Sequence, residues 1–217
     1  MMCLRILLRA CVVLSAPSIA LGQSASDTGA FLVRHGRDTV ATERFIRTAT
    51  KLEGTLALRN RNNTSERYAA VLAPDATVPL IEVTVQEGGA DTGSARPKIV
   101  QRARVIFKDD SAAVDEVGRA GLVSRILSTE PGAVPYLNLS FALLEQAIRR
   151  SRAAHEGASV PFFNLGGGQT VIARISPLGP DSLQLDIGDT RFHLMIDARG
   201  RLVGARIPLQ DVVVERK

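Results

Sequence analysis

The chain has only two cysteines, Cys3 and Cys11, and both lie within its first eleven residues. From residue 12 onwards the chain therefore has no disulfide, no thiol nucleophile and no thiolate metal ligand. A chain of this length can be stabilised by an apolar core without cross-links.

Aromatic residues are also scarce, at 4% of the chain, and tryptophan is absent. Proteins that bind single-stranded nucleic acid stack bases on aromatic side chains. Here the arginines are scattered between acidic residues, and aromatic residues are not interleaved with them. The net charge of +5 therefore does not predict a nucleic-acid partner.

Long apolar runs are missing too. The run near the N-terminus, from Cys11 to Ala16, is too short to span a bilayer, and no later segment is long enough. Arg5 and Arg9 precede this run, and Pro17 and the small residues Ala20 and Gly22 follow it. This order is typical of a secretory signal peptide that is cleaved after Gly22. We therefore expect residues 1–22 to be a signal peptide and the mature protein to be periplasmic or secreted, without a transmembrane segment.

The next residues, 23–30, are small and polar and predict a flexible lead-in to a single domain at 31–217. From Phe31 the apolar residues follow a period of two, as where Ile81, Val83 and Val85 alternate with polar residues. Turn residues separate such segments, which is typical of antiparallel hairpins. The pattern predicts strands near 39–48, 53–60, 65–73, 81–86, 98–108, 112–117, 121–127, 159–164, 169–176, 183–187, 190–197 and 201–207.

One segment has a helical period instead. Between residues 136 and 154, Leu137, Phe141, Leu144 and Ile148 form an apolar stripe, with Glu145 among the polar residues on the other side. A single helix with one apolar face must pack against a sheet to bury that face. The sequence therefore predicts a mainly β fold: a curved antiparallel meander sheet, or half-barrel, wrapped around one amphipathic α-helix at about 136–154. We expect about eight strands before the helix and about five after it.

The segment 32–36 (Leu-Val-Arg-His-Gly) resembles the signature of the histidine phosphatase superfamily. The resemblance implies that His35 attacks phosphorus and that Arg34 binds phosphate, with a second histidine completing the pocket. A strand that continues through this segment places Arg34 and His35 on opposite faces of the sheet, whereas the pocket needs both to converge. A phosphohydrolase using Arg34 and His35 is therefore kept as the alternative function. The function that we favour, given below, has no catalytic residue.

No other motif predicts chemistry. His35, His155 and His193 are far apart and have no metal-site spacing, so neither a metal nor a cofactor is predicted. The glycine-rich residues 166–168 connect two strands and do not open a helix, so they predict a hairpin and not a phosphate site.

The order of elements in the mature chain is similar to that of uncharacterised exported bacterial β-rich domains that resemble the outer-membrane lipoprotein carriers. The resemblance implies a concave apolar cavity between a sheet and a helix, which holds acyl chains in the carriers. We therefore expect an exported, non-enzymatic binding or carrier protein for a lipid or another apolar or amphipathic ligand, or an envelope accessory factor. The residues expected to line the cavity are Phe141, Leu144, Ile148, Phe162, Phe163, Val171 and Leu185.

Overall fold

The computed structural model describes residues 26–60, 62–88, 97–154 and 159–217. The predicted signal peptide lies outside these ranges. Within them the chain forms fifteen β-strands, one α-helix and one short 3-10 helix. No helix in the described ranges is long and apolar enough to cross a membrane. The prediction of a mainly β fold with a single α-helix is confirmed.

The strands before the helix are β1 (Asp27–His35), β2 (Asp38–Arg47), β3 (Lys51–Leu58), β4 (Ser65–Val71), β5 (Leu80–Glu87), β6 (Lys98–Lys108), β7 (Ser111–Gly118), β8 (Gly121–Ser128) and β9 (Val134–Tyr136). The helix α1 spans Phe141–Ala154. The strands after it are β10 (Ser159–Asn164), β11 (Thr170–Gly179), β12 (Ser182–Ile187), β13 (Thr190–Ile196), β14 (Leu202–Ile207) and β15 (Val212–Arg216), and the 3-10 helix is Pro208–Gln210.

All fifteen strands belong to one open sheet, in the order β8-β7-β6-β5-β4-β3-β2-β1-β15-β14-β13-β12-β11-β10-β9. The first and last strands pair with each other, with Val33 opposite Val214. From this central pair the sheet extends through β8 on one side and through β9 on the other. Neighbouring strands are antiparallel except β9 and β10, which are parallel. The first and last strands of the chain therefore lie side by side in the middle of the sheet.

The sheet curls until its two edges approach each other. Thr129, which follows β8, shares a hydrogen bond of 2.7 Å with Thr170 at the start of β11. Phe162 and Phe163 are consecutive in β10 and so point to opposite faces, yet both are buried. The Phe163 ring contacts Phe107 of β6 edge-to-face, with the ring centroids 5.4 Å apart. Strand β10 is therefore covered on both faces where the two ends of the sheet overlap.

The helix lies within this curled sheet and contacts β2, β9 and β10. Its first eight residues, 141–148, are all buried, including Glu145 and Gln146. The polar side of the helix is therefore not turned to solvent in the first two turns, where Glu145 is enclosed. The apolar stripe joins a core that also contains Phe31, Leu56 and Leu194.

The main differences from the sequence prediction lie at β1, at the start of the helix and in the number of strands. Strand β1 begins at Asp27, so residues 27–30 are paired with β2 and are not a flexible lead-in. The helix begins at Phe141 and not near Tyr136, because Tyr136 ends β9 and Leu139 has a left-handed backbone with φ of 64°. Two strands, β9 and β15, were not predicted, which makes nine strands before the helix and six after it.

Candidate functional site

The predicted ligand-lining residues divide into two groups in the structure. Six of them are side chains of the core, each at most 3% exposed: Phe141, Leu144, Ile148, Phe162, Phe163 and Leu185. Val171 is different, because 40% of it is exposed near the start of β11. Only Phe141 and Leu144 border a cavity between the helix and the sheet.

This cavity has a volume of about 90 Å³ and lies where α1 begins. Its apolar walls come from α1, from the preceding turn and from β12–β14, while Asn138, Thr190 and Gln210 add polar groups. Ligand pockets for whole drug-sized molecules measure roughly 300–1,000 Å³. The cavity therefore matches the end of an apolar chain rather than a complete lipid. Its lining residues are Tyr136, Asn138, Leu139, Ser140, Phe141, Leu144, Ile187, Thr190, Phe192, Ile207 and Gln210.

The turn before α1 forms one wall of the cavity and is conformationally strained. Leu139 has a φ of 64°, a region that bulky residues rarely occupy. The turn is held by a backbone hydrogen bond of 3.0 Å from the Ser140 N–H to the Leu137 carbonyl. Next to it, burial raises the pKa of the Tyr136 phenol.

The N-terminus of α1 is held by a carboxylate from the sheet. Glu43 of β2 accepts hydrogen bonds from the backbone N–H groups of Phe141 and Ala142, at 2.7 and 2.9 Å. Its other oxygen accepts from the hydroxyls of Tyr68 and Ser140, at 2.5 and 2.6 Å. A carboxylate at a helix N-terminus satisfies unpaired N–H donors and complements the helix dipole.

Burial dominates the acid–base behaviour of this cluster. It raises the pKa of Glu43, against the lowering effect of the hydrogen bonds from Ser140, Tyr68, Ala142 and Phe141. It also raises the pKa of Tyr68, an effect that the neighbouring Glu43 carboxylate reinforces. These groups therefore anchor the helix, and all four donors of the cluster are already engaged with Glu43.

A second polar cluster holds the middle of α1. Glu145 is fully buried, and it accepts hydrogen bonds from Arg47 of β2 and, at 2.8 Å, from Arg216 of β15. The Leu202 N–H donates to the same carboxylate at 3.2 Å. Arg216 also donates to Asp27 of β1 at 2.7 Å. The helix is thus tied by one carboxylate to strands from both ends of the chain.

The residues of the phosphatase-like segment do not form a common site. In the pairing of β1 with β15, Arg34 is opposite Val213 and His35 is opposite Val212, so the two side chains project to opposite faces. Arg34 is paired with Glu215, with 3.3 Å between Nη1 and Oε1. His35 is exposed at the end of its strand. His193 lies on β13, and His155 lies outside the described residues.

The other segments considered as possible sites do not form one in the described residues. The glycine-rich residues 166–168 form the turn between β10 and β11, as the hairpin prediction required. Among the described residues, no group of three or more His, Cys, Asp or Glu side chains is placed to hold a metal ion.

Sequence reasoning missed most of the cavity. Ile187 and Phe192 could have been found, because both lie on the apolar side of alternating strands that form a hairpin. Leu139 and Gln210 carried no periodic signal, since they lie in irregular segments on either side of the cavity.

The comparisons with known proteins give a fold and no family. No family model matches the chain, and no curated protein matches it. Among solved structures, the chain is similar to the crystal structure of a DUF1089 family protein from Pseudomonas aeruginosa. That match has a TM-score of 0.53 and 12% sequence identity, and it covers 81% of this chain and 92% of the other. The two chains therefore share a fold.

Proposed function

We propose that this protein is an exported, non-catalytic binding or carrier protein for an amphipathic ligand. The observation that carries the proposal is the cavity at the start of α1, with apolar walls and a few polar groups. That combination is typical of sites that receive an apolar chain and leave a polar head near water. In this proposal the protein works in the periplasm or outside the cell, in the manner of the lipoprotein carriers that its element order resembles.

The cavity of about 90 Å³ would accept the tip of an acyl chain. Deeper entry requires the strained turn at Leu139 to move away from the sheet. The helix itself would stay in place, because buried carboxylates hold its first and second turns. The proposed opening is therefore local to residues 137–140.

The experiment is titration of the purified protein with a dansylated fatty acid, using Leu144→Ala and Leu143→Ala as a matched pair. Both leucines are buried in α1, at 3% and 1% exposure, but only Leu144 borders the cavity. Each truncation should cost about 2–5 kcal/mol of unfolding free energy. Only Leu144→Ala enlarges the cavity, so it alone should tighten binding of the probe, because more methylene groups are buried.

Equal effects of the two truncations would show that the probe binds elsewhere. No binding by either variant or by the wild-type protein would contradict the proposal. Native mass spectrometry of the protein purified from the exported fraction adds an independent readout, in which a co-purified lipid is expected. N-terminal sequencing of the same sample should begin near Gln23.

The alternative, a phosphohydrolase using Arg34 and His35, has a separate assay. With Arg34 paired to Glu215 and His35 on the other face, we expect no turnover of a generic phosphomonoester by the purified protein. His35→Ala should change the unfolding free energy by no more than about 0.5 kcal/mol. Turnover by the wild-type protein that the His35→Ala variant lacks would favour the alternative.

A further inference from the structure

The outer face of the sheet carries a row of three exposed arginines, Arg44, Arg67 and Arg102. Arg44 is opposite Thr55, Thr55 is opposite Arg67, and Arg67 is opposite Thr84. Thr84 is in turn opposite Arg102 on β6. Directly paired residues project to the same face of a sheet. Arginine and threonine therefore alternate in a straight row across β2–β6, which we name the arginine row.

The row faces away from the core. Glu43 and Phe45, on either side of Arg44, are buried, so Arg44 points outwards. The three arginines are exposed and the two threonines are half-buried. Among the described residues, none of the three guanidinium groups has a hydrogen bond or an ion pair, whereas Arg34, Arg104 and Arg125 of the same sheet each have one.

Part of the row lies in a groove on this outer face. The groove has a volume of about 500 Å³, and Arg44, Thr55, Arg67 and Thr84 are among its lining residues. Gly54 of β3 also lines it, although a side chain at that position would project to the inner face, towards Tyr68. Arg102 continues the row beyond the groove onto the next strand.

The neighbouring row on the same face carries carboxylates. Glu53 and Glu82 lie two residues along their strands from Thr55 and Thr84, at the side of the groove. Both already have cationic partners: Glu53 is 2.8 Å from Lys51, and Glu82 is 3.6 Å from Arg104. A flat anionic surface would contact this acidic row as well as the arginine row, and the carboxylates would repel it. A single linear chain can follow the arginine row alone.

We propose that the arginine row binds a linear acidic polysaccharide that carries carboxylate groups. Guanidinium groups pair with carboxylates through two parallel hydrogen bonds. The arginines stand on alternate strands, so their backbones are about 10 Å apart across the sheet. A two-fold polyuronate chain exposes the carboxylates of every second sugar on one side, at a similar interval. The threonine hydroxyls between the arginines supply hydrogen bonds for the sugar hydroxyls.

The test is a calorimetric titration of the purified protein with polyuronate oligosaccharides. The variant is the triple change Arg44→Gln, Arg67→Gln and Arg102→Gln. Its matched control changes Arg37, Arg174 and Arg206 to glutamine, which removes the same charge from exposed arginines outside the row. The row variant should lose about tenfold in affinity, as three exposed ion pairs are removed. The control should lose less than about twofold, because only long-range screened charge is removed.

Binding by the wild-type protein should also weaken as salt is raised. Equal losses in the two triple variants would overturn the proposal, as would no binding by the wild-type protein. Tighter binding to vesicles of anionic phospholipid, or to a single-stranded oligonucleotide, would assign the row to a different partner and overturn it too. Binding of the dansylated fatty acid should be the same in both variants, because the row lies on the face opposite the cavity.

Discussion

Glu43 is a polar residue of β2 that no sequence pattern marks as special, yet it holds the start of α1 from a position 98 residues away in the chain. Its carboxylate receives two backbone N–H groups and two hydroxyls. Local sequence rules look for a cap next to the helix, and Ser140 is there with a longer bond of 3.4 Å to the Leu143 N–H. The dominant cap comes from the tertiary structure, so it could not be read from the sequence.

The raised pKa of Glu43 makes a prediction about pH. Burial disfavours the charged form, so the folded-state pKa lies above the unfolded value. The stabilising contribution of this group is then present below the unfolded pKa and is lost as the pH rises through the folded pKa. In Glu43→Gln, a near-isosteric change, this loss is absent. We expect the unfolding free energy of the wild-type protein to fall relative to that of Glu43→Gln as the pH rises from the ordinary glutamate range.

Chemical denaturation of both proteins at a series of pH values measures this difference. Taking the difference removes the contribution of Glu66, whose pKa burial also raises, because both proteins contain it. A difference in unfolding free energy that is constant with pH, or that changes in the opposite direction, would contradict the prediction.

Gly54 gives a second prediction at the scale of single residues. Tyr68 lies across Gly54 to reach Glu43, and an added Cβ at position 54 would be 2.7 Å from Cε1 of the Tyr68 ring. Gly54→Ala must displace the ring and break its hydrogen bond to Glu43. We expect a loss of about 2–4 kcal/mol of unfolding free energy, measured by urea denaturation.

The control is Gly118→Ala at the end of β7, where an added Cβ meets no atom within 4 Å. That change should alter the unfolding free energy by no more than about 0.5 kcal/mol. If the two alanine variants are equally stable, the packing of Tyr68 on Gly54 is not important for stability.

At the scale of elements, the period-two pattern was a good guide to the strands, whereas the helical period placed the end of α1 correctly and its start five residues too early. Strand β10 begins and ends where the sequence predicted, at Ser159 and Asn164. Strand β9 was missed because it has three residues and contains Pro135. Leu137 matches the helical stripe by spacing, but it lies in the turn before α1. Periodicity cannot separate a helix from a turn that happens to extend its stripe.

The burial of Glu145, on the polar side of α1, could not be predicted either. Glu145 lies on the polar side of the helix by spacing, and spacing does not distinguish an exposed carboxylate from a buried one. Its partners come from β2 and β15, which are distant in sequence. A buried carboxylate needs such partners, because an unpaired buried charge is costly.

The ion pairs of Glu145 with Arg47 and Arg216 predict how much Glu145 contributes to stability. Glu145→Gln keeps the shape of the side chain and removes the charge that faces Arg47 and Arg216. Asp27 still neutralises part of this positive charge. We expect a loss of about 3 kcal/mol of unfolding free energy, as for other buried pairs that lose one partner.

The matched change is Glu53→Gln, which removes the carboxylate of an exposed pair with Lys51. It should cost no more than about 0.5 kcal/mol. Similar losses from the two glutamine variants in urea denaturation would mean that the buried cluster does not secure the helix.

At the scale of the whole molecule, the pairing of β1 with β15 is the feature that sequence patterns could not supply. Alternation shows which face of a strand is buried, but it does not show which strand is its neighbour. Hairpin connections predicted the neighbours within β1–β8 and within β10–β14. The junction of the two halves depends on contacts between residues at opposite ends of the chain, such as Phe31 with Arg216.

This topology predicts an order of stability across the sheet. Strands β1 and β15 each have a neighbour on both sides, and their residues Phe31, Val33 and Val214 are fully buried. Strand β8 pairs only with β7, and its residues 121–126 are exposed, Ile126 by 81%. Hydrogen exchange followed by mass spectrometry should therefore find β8 among the fastest strands to exchange. Amides of β1 and β15 should exchange only through global unfolding.

The same experiment distinguishes a single cooperative sheet from two halves that open independently. Strand β15 lies between β1 and β14. For the two halves of the sheet to separate, the hydrogen bonds between β15 and one of these two neighbours would have to break. Denaturant at concentrations below the unfolding transition should leave exchange of β1 and β15 equally slow. If β15 exchanges faster than β1 and together with β14, the second half opens by itself, and the pairing of the chain ends is not the most stable part of the sheet. If both strands stay equally slow, the pairing of the chain ends is among the most stable parts of the sheet. Because that pairing joins residues so far apart in the sequence, we also expect slow folding.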